Sequence, residues 1–288
     1  MKRALLFLAL LLTASACNRE RNQSIKLMND ALREFQSGNT AAAITVFNQA
    51  ASVDPTNDRV FFYRALLKYQ RATQLDAAVK DLQEAIRVNP GDYEYHYHLG
   101  KVLCRLEQWG PAINALDTAI QKKPDYGESH YQLGIALENQ AKFDRAQDEY
   151  IQAIKLKPRF ADPYDTLGNL YARFEKYPQA IQVFKNGIEN NPEKPELFHH
   201  LGVIYQNQQR YDDAITNFQA AVKLKPNYTS ALFNLGMAYL ANDNAEMAIQ
   251  NLKLYLGRRP GGEDPLRVRT AEDTVAKLEA RAAEPPAP

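Results

Sequence analysis

The chain has 288 residues, with 35 Lys and Arg against 34 Asp and Glu, so its charge is close to balanced. That balance, with no basic patch, excludes the phosphate-tracking surface that nucleic-acid binding demands. It opens on Met1-Lys2-Arg3, then the apolar run from Ala4 to Leu12 and the small residues Ala14-Ser15-Ala16 ahead of Cys17. The run is far short of the roughly 20 residues needed to cross a bilayer. A basic start, an apolar middle and a small-residue end read as a secretory signal over 1–16, absent from the mature protein.

The stretch Leu12-Thr13-Ala14-Ser15-Ala16-Cys17 resembles the bacterial lipobox, with Ala14 standing where leucine is commoner. The resemblance implies that Cys17 is diacylated through its sulfur, becomes the first residue on cleavage and is then acylated on its amine, with palmitate among such chains. Two or three acyl chains hold a protein on a membrane, where one is marginal. Asn18, where an aspartate tends to retain such proteins at the inner membrane, implies the outer membrane and its periplasmic face. Residues 17–23 then form a short tether. The alternative is an ordinary signal with a coincidental cysteine.

Beyond this segment Pro55, Pro90, Pro124, Pro158, Pro192, Pro226 and Pro260 recur at intervals of 35 and then five times 34 residues. A fixed period in the thirties predicts one supersecondary unit copied along the chain. With each proline at position 32, the units run 24–57, 59–92, 93–126, 127–160, 161–194, 195–228 and 229–262, leaving Asp58 over between the first two. Position 8 is Gly100, Gly134, Gly168, Gly202 and Gly236 in the last five units, and Ala31 and Leu66 in the first two. Position 20 is alanine throughout (Ala43, Ala78, Ala112, Ala146, Ala180, Ala214, Ala248). Position 24 is large and apolar, and position 27 is small except for Tyr255. Two packed antiparallel helices need this division, small residues where backbones approach and large ones between. The proline ends the second helix, lacking an N–H and disfavouring helix in the residue before it.

Segments such as YHYHLGKVL…AINALDTAIQKKP and LFHHLGVIYQNQQRYDDAITNFQAAVKLKP resemble the tetratricopeptide repeat family, over residues 24–262. The resemblance implies an all-α, right-handed superhelical solenoid of seven helix pairs with a C-terminal capping helix. It also implies that the first helix of each pair, helix A, lines a concave inner face. The end units depart mildly, with Asp30 and Glu34 in apolar slots of the first, and Ala245 and Tyr255 in the last. A break follows over Gly261 to Pro265, then the expected cap within 263–284, with Leu266, Val268, Val275 and Leu278 to cover the last unit. Residues 285–288 are an expected disordered tail.

Positions 2 and 5 share a side of helix A. Position 5 reads Met28, Tyr63, Tyr97, Tyr131, Asp165, His199 and Phe233, and position 2 carries Glu94, Glu128, Asp162 and Glu196. One reading is an aromatic ladder beside an acidic row, a groove for a partner segment with apolar and basic side chains. The other is that tyrosine packs well when half-exposed and that acids suit a helix N-terminus. Some chaperone-binding members clamp a carboxylate with lysine, asparagine and arginine, but Arg64, Lys101, Asn169 and Asn234 do not make that combination.

No Walker loop, Gly-x-Gly-x-x-Gly, His-Glu-x-x-His, Gly-x-Ser-x-Gly or Cys-x-x-Cys is present, so no enzyme activity, catalytic residue, metal or cofactor is expected. His96 and His130 fall at position 4, a packing slot, and the pairs His96/His98 and His199/His200 have spacings that share no helix face. Cys104 is either an inert helix residue or the site of a partner bond or redox role. The resulting expectation is a periplasm-facing outer-membrane lipoprotein scaffold with protein partners and no nucleic acid or small-molecule substrate. Lipidated arrays of this kind resemble pilotin-like accessories, implying a type IV pilus secretin or gliding-motility complex as partner. The alternative is an adaptor for peptidoglycan enzymes or a general envelope-assembly scaffold.

Overall fold

The computed structural model describes residues 2–258 and 264–283, with side chains described from residue 18 onward. The chain forms two compact units, Met1–Gln152 and Ala153–Pro288. The first holds α1 (Lys2–Gln36), α2 (Thr40–Val53), α3 (Asp58–Tyr69), α4 (Leu75–Val88), α5 (Tyr93–Arg105), α6 (Trp109–Lys122) and α7 (Gly127–Asn139). Helix α8 (Phe143–Leu156) begins in the first unit and ends in the second. The second continues with α9 (Ala161–Arg173), α10 (Tyr177–Asn190), α11 (Pro195–Asn207), α12 (Tyr211–Leu224), α13 (Thr229–Ala241), α14 (Ala245–Arg258) and α15 (Pro265–Ala283). The architecture is an all-α solenoid of helix pairs closed by a capping helix. Gly261 to Glu263 of the expected break, and the tail, fall outside the described residues.

Each pair is closed by one repeated contact. All seven position-20 alanines and all seven position-24 side chains (Phe47, Leu82, Leu116, Tyr150, Phe184, Phe218, Leu252) are fully buried. The position-8 glycines lie directly under position 24. A Cβ there would stand 2.4 Å from Leu116 Cγ at Gly100, 2.5 Å from Phe184 Cζ at Gly168 and 2.7 Å from Leu252 Cγ at Gly236. Position 24 thus fills the space the missing side chain leaves, each such burial contributing about 1.5–3 kcal/mol.

The turns repeat too. In six pairs the residue at position 15 has positive φ: Gly38 (88°), Glu107 (57°), Ala141 (57°), Glu175 (57°), Gln209 (60°) and Asp243 (54°). In the third pair Glu107 N–H donates to the Cys104 carbonyl and Gln108 N–H to the Leu103 carbonyl, a left-handed helix stop that satisfies the last carbonyls. The other end is equally regular. Asp54, Asn89, Lys123, Asn191 and Lys225, each just before a proline, sit at φ from −133° to −141°, outside the helical region.

The second pair corrects the sequence-based register. Four residues (54–57) link α2 to α3, as in the later pairs, so Asp58 is the first residue of α3 and not an extra link. The additional residue lies in the turn, where residues 70–74, with a 3-10 helix at Ala72–Gln74, replace the usual three-residue turn. Within α3 every position therefore moves by one. Fully buried Ala65, not Leu66, is the small residue under Leu82, and Phe62, not Tyr63, is the equivalent of Tyr97.

At the N-terminal end α1 is unbroken, so the expected tether over 17–23 is helical, with Asn18–Gln23 exposed. No Gly or Pro interrupts them. Among the described residues, no helix is long and apolar enough to cross a membrane. At the other end α15 buries Ala271, Val275 and Leu278, a stripe of i, i+4, i+7 spacing, against the last pair. Leu266 lies off that stripe and is 71% exposed, so it does not cover the last pair as its apolar character suggested. Tyr255 is fully buried beside Phe233, Ala271 and Val275, which explains its size: a cap helix follows it instead of another pair.

Candidate partner-binding faces

In the first unit the A helices α3, α5 and α7 bring a cluster of rings together. Tyr97 stands edge-on to Tyr126, with ring centroids 5.1 Å apart and planes at 87°. Tyr126 in turn meets Tyr93 at 5.1 Å. Tyr97 is almost wholly covered, at 7% exposure, and burial pushes its hydroxyl up out of the ordinary range. Tyr126 and Tyr93 remain half-exposed, and burial moves Tyr126 up to about 12. Tyr131 is half-buried, its ring 6.0 Å from Tyr150. Tyr63, also half-buried, leans on Phe62 at 5.5 Å from the shifted register.

The acidic residues at the helix starts lie beside these rings. Glu94 is half-buried and 3.8 Å from Arg59, and its N–H donates to Asp92 Oδ1, the cap of α5. Glu128 is half-buried at the start of α7. Further along the same helices Tyr69 is flanked by two cations, Lys101 Nζ 5.3 Å and the Arg105 guanidinium 4.7 Å from its ring centre. Arg105 also donates to the Tyr69 carbonyl at 2.6 Å, satisfying an open acceptor at the end of α3.

In the second unit the face has another chemistry. His199 is buried between Tyr228, at 5.0 Å between rings, and Phe218, at 5.8 Å. Asn234 Nδ2 donates to its Nε2 at 3.0 Å, so the ring is neutral with its proton on Nδ1, facing the Tyr228 oxygen at 3.4 Å. Burial, and then the neighbouring His200 and Arg267, lower His199 to about 4. His200 Nδ1 pairs with Asp165. Exposed Asp162 and half-buried Glu196 line, with Asp165 and Lys194, an open cleft of about 300 Å³. Phe233 is covered from the cap side, by Tyr255 at 5.3 Å and by the Arg267 guanidinium at 5.7 Å.

The structure therefore places Tyr97 and His199 as supports beneath the surface, while Tyr63, Tyr131 and Phe233 stay half-open. Position-based reading missed the residue two after the proline. Tyr126 and Tyr228 occupy it, in the loop before the next A helix, and each packs on position 5 of its own pair. The signal was present in the sequence as aromatics at 126, 160 and 228.

The α5 histidines and the cysteine are buried or half-buried. His96 Nε2 bonds the Pro90 carbonyl at 3.2 Å, and burial, followed by the Lys101 charge, lowers His98 to about 4. Burial pushes the Cys104 thiol up to about 11, leaving almost no thiolate. Among the described residues, no three His, Cys, Asp or Glu side chains converge to hold a metal ion.

The tetratricopeptide repeat family matches residues 67–127, 131–195 and 229–261, and a further TPR repeat pattern matches 207–243. Together these matches take in more than half of the chain. The chain is a tetratricopeptide repeat protein. It is 29% identical over 80 residues to the tetratricopeptide repeat and J domain-containing co-chaperone DNJ1 of Cryptococcus neoformans, a match covering 28% of this chain and 15% of that one. Its fold is similar to the C-terminal part of a TPR repeat-containing protein from Cytophaga hutchinsonii, with TM-score 0.67 and 19% identity over 86% of this chain and 99% of that one. It is similar also to yeast Tom70, with TM-score 0.61 and 17% identity over 98% and 60% of the two chains. YrrB, described as a TPR protein with an unusual peptide-binding site, gives TM-score 0.53 and 20% identity over 67% and 97%. Tetratricopeptide arrays are non-catalytic scaffolds that bind protein partners through the concave face of their A helices, and this chain is an array of that kind.

Proposed function

We propose that this tetratricopeptide repeat protein is a lipid-anchored scaffold that captures an envelope protein on the A-helix face of its first unit. The observation that carries the reading is the ring cluster of Tyr93, Tyr97 and Tyr126 beside half-buried Tyr131, with Glu94 and Glu128 next to it. Half-exposed rings bordered by carboxylates suit a partner strand that presents apolar and basic side chains. The lipobox-like run ending at Cys17 supports anchoring through that cysteine, and Asn18 supports the outer membrane with the array facing the periplasm. A lipidated array in that place fits a role in assembling or stabilising an envelope machine, such as a type IV pilus secretin or a gliding-motility complex.

The test combines two measurements on the full-length protein made in a bacterial envelope. Mass spectrometry of the mature N-terminus is expected to show acylated Cys17, and Cys17→Ser is expected to release the protein from membranes without detergent. Crosslinking from intact membranes is expected to recover one partner with the wild type and at least tenfold less with Tyr126→Ala/Tyr131→Ala, at unchanged circular dichroism. Equal capture by the double variant would remove the binding face. An unmodified cysteine would remove the anchor.

A further inference from the structure

His130 differs from the other position-4 residues in what surrounds its ring. Its Nδ1 lies 2.7 Å from Glu149 Oε2 on α8, and its Nε2 lies 3.0 Å from the Pro124 carbonyl in the loop before α7. A carboxylate and a carbonyl can only accept, so satisfying both contacts requires an N–H on each ring nitrogen. The side chain is 11% exposed and Glu149 21%, so water competes weakly for either bond. His96, in the same slot one pair earlier, bonds only the Pro90 carbonyl and needs a single N–H.

We propose that His130 is held as an imidazolium that latches the 123–126 loop to α8, and that loss of its proton loosens the presentation of Tyr126. The loop is four residues long and carries both Pro124 and Tyr126, whose ring braces Tyr93 and Tyr97. When the proton leaves to solvent, one N–H remains. It stays with Glu149, the stronger acceptor, because charge-assisted bonds are shorter and stronger than neutral ones. The Pro124 bond is the one lost, and the loop is then held by its remaining backbone bonds, Lys123 N–H to the Ala119 carbonyl, Tyr126 N–H to the Lys123 carbonyl and Ser129 N–H to the Tyr126 carbonyl.

The charged neighbour acting on the ring is Glu149, which raises the proton affinity of His130 through their hydrogen bond, against the cost of burial. From α6, Asp117 shares the field of Glu149 with Arg145 and Lys142. Since the folded value lies above the ordinary 6.5, the latch contributes stability that is complete below about pH 6.5 and is lost as pH rises through the folded value. The repeat architecture supplies a natural replacement, because the equivalent pair in the fifth repeat is Tyr164 and Val183.

This regulation rests on the reading of the first unit as a binding face, but its test needs no partner. Nitrogen-15 NMR of the imidazole rings in the full-length protein is expected to show His130 doubly protonated at pH 6.5. Its deprotonation midpoint is expected above 6.5, with Tyr126 ring signals moving at the same midpoint. In His130→Tyr/Glu149→Val the Tyr126 titration is expected to vanish while circular dichroism is retained. Between pH 6.5 and 9 the wild type is also expected to lose melting temperature relative to this variant. A neutral His130 tautomer at pH 6.5, or Tyr126 signals that ignore the midpoint, would overturn the proposal. Retained partner capture by Tyr126→Ala/Tyr131→Ala would instead remove the binding face, so the two failures are told apart.

Discussion

At the scale of single residues the repeat is a set of steric rules that can be broken one atom at a time. Gly168 has the Phe184 ring where its Cβ would be, with the three nearest ring carbons at 2.5 to 2.7 Å. Gly168→Ala is therefore expected to cost about 2 kcal/mol through overpacking, read as a lower midpoint in urea at unchanged slope. The opposite change is available at the turns. Ala141 is exposed, carries φ of 57° and stops α7, a conformation that costs a residue with a Cβ about 1–2 kcal/mol. Ala141→Gly is expected to raise stability by about 1 kcal/mol in the same measurement. The glycine slot was visible in the sequence as a recurring position, and the turn slot emerged only from the backbone. It was not recognisable as left-handed, because Glu, Ala, Gln and Asp fill it in five pairs and glycine in the first alone, as Gly38.

At the scale of helices, the second pair is held differently from the rest. Asp81 on α4 accepts two bonds from Arg64 on α3, at 2.9 and 2.6 Å, and one from Lys68 at 2.7 Å, with 6% of its side chain exposed. Arg64 reaches on to Asn48 of α2 at 2.8 Å, so one guanidinium ties three helices together. Asp81→Ala would strand two poorly solvated cations, and about 3–5 kcal/mol of stability is expected to be lost. Hydrogen exchange should show that loss first in α3 and α4. The same pair holds the inserted residue. Proline spacing of 35 revealed an insertion but not its place, because adding a residue to either loop leaves the proline interval the same. Only the α3 backbone, with Ala65 packed under Leu82, locates it in the turn.

At the scale of the whole molecule, buried imidazoles make stability depend on pH in both directions. His98 in the first unit and His199 in the second are lowered to about 4, chiefly by burial, so the folded state keeps them neutral where the unfolded chain protonates them. Their contribution is complete above about pH 6.5 and is lost as pH falls toward 4, on the order of 3 kcal/mol for each. His130 works the other way, losing its contribution as pH rises. Thermal unfolding followed from pH 4 to 9 is therefore expected to show a maximum near pH 6.5. Replacing His98 or His199 by phenylalanine should flatten the acid limb.

The array itself, the alanines and large apolar residues of its core and the family were determined by the sequence alone. Helical and repeat periods project each residue onto a fixed face, and a packing rule repeated seven times leaves no other fold. Tertiary structure decided what depends on a neighbour from another helix. It set the place of the inserted residue, the sinking of Tyr97 and His199 beneath Tyr126 and Tyr228, and the two acceptors around His130. Exposure and protonation are properties of the space between helices, and a position within one repeat does not specify which side chain the facing element brings to it.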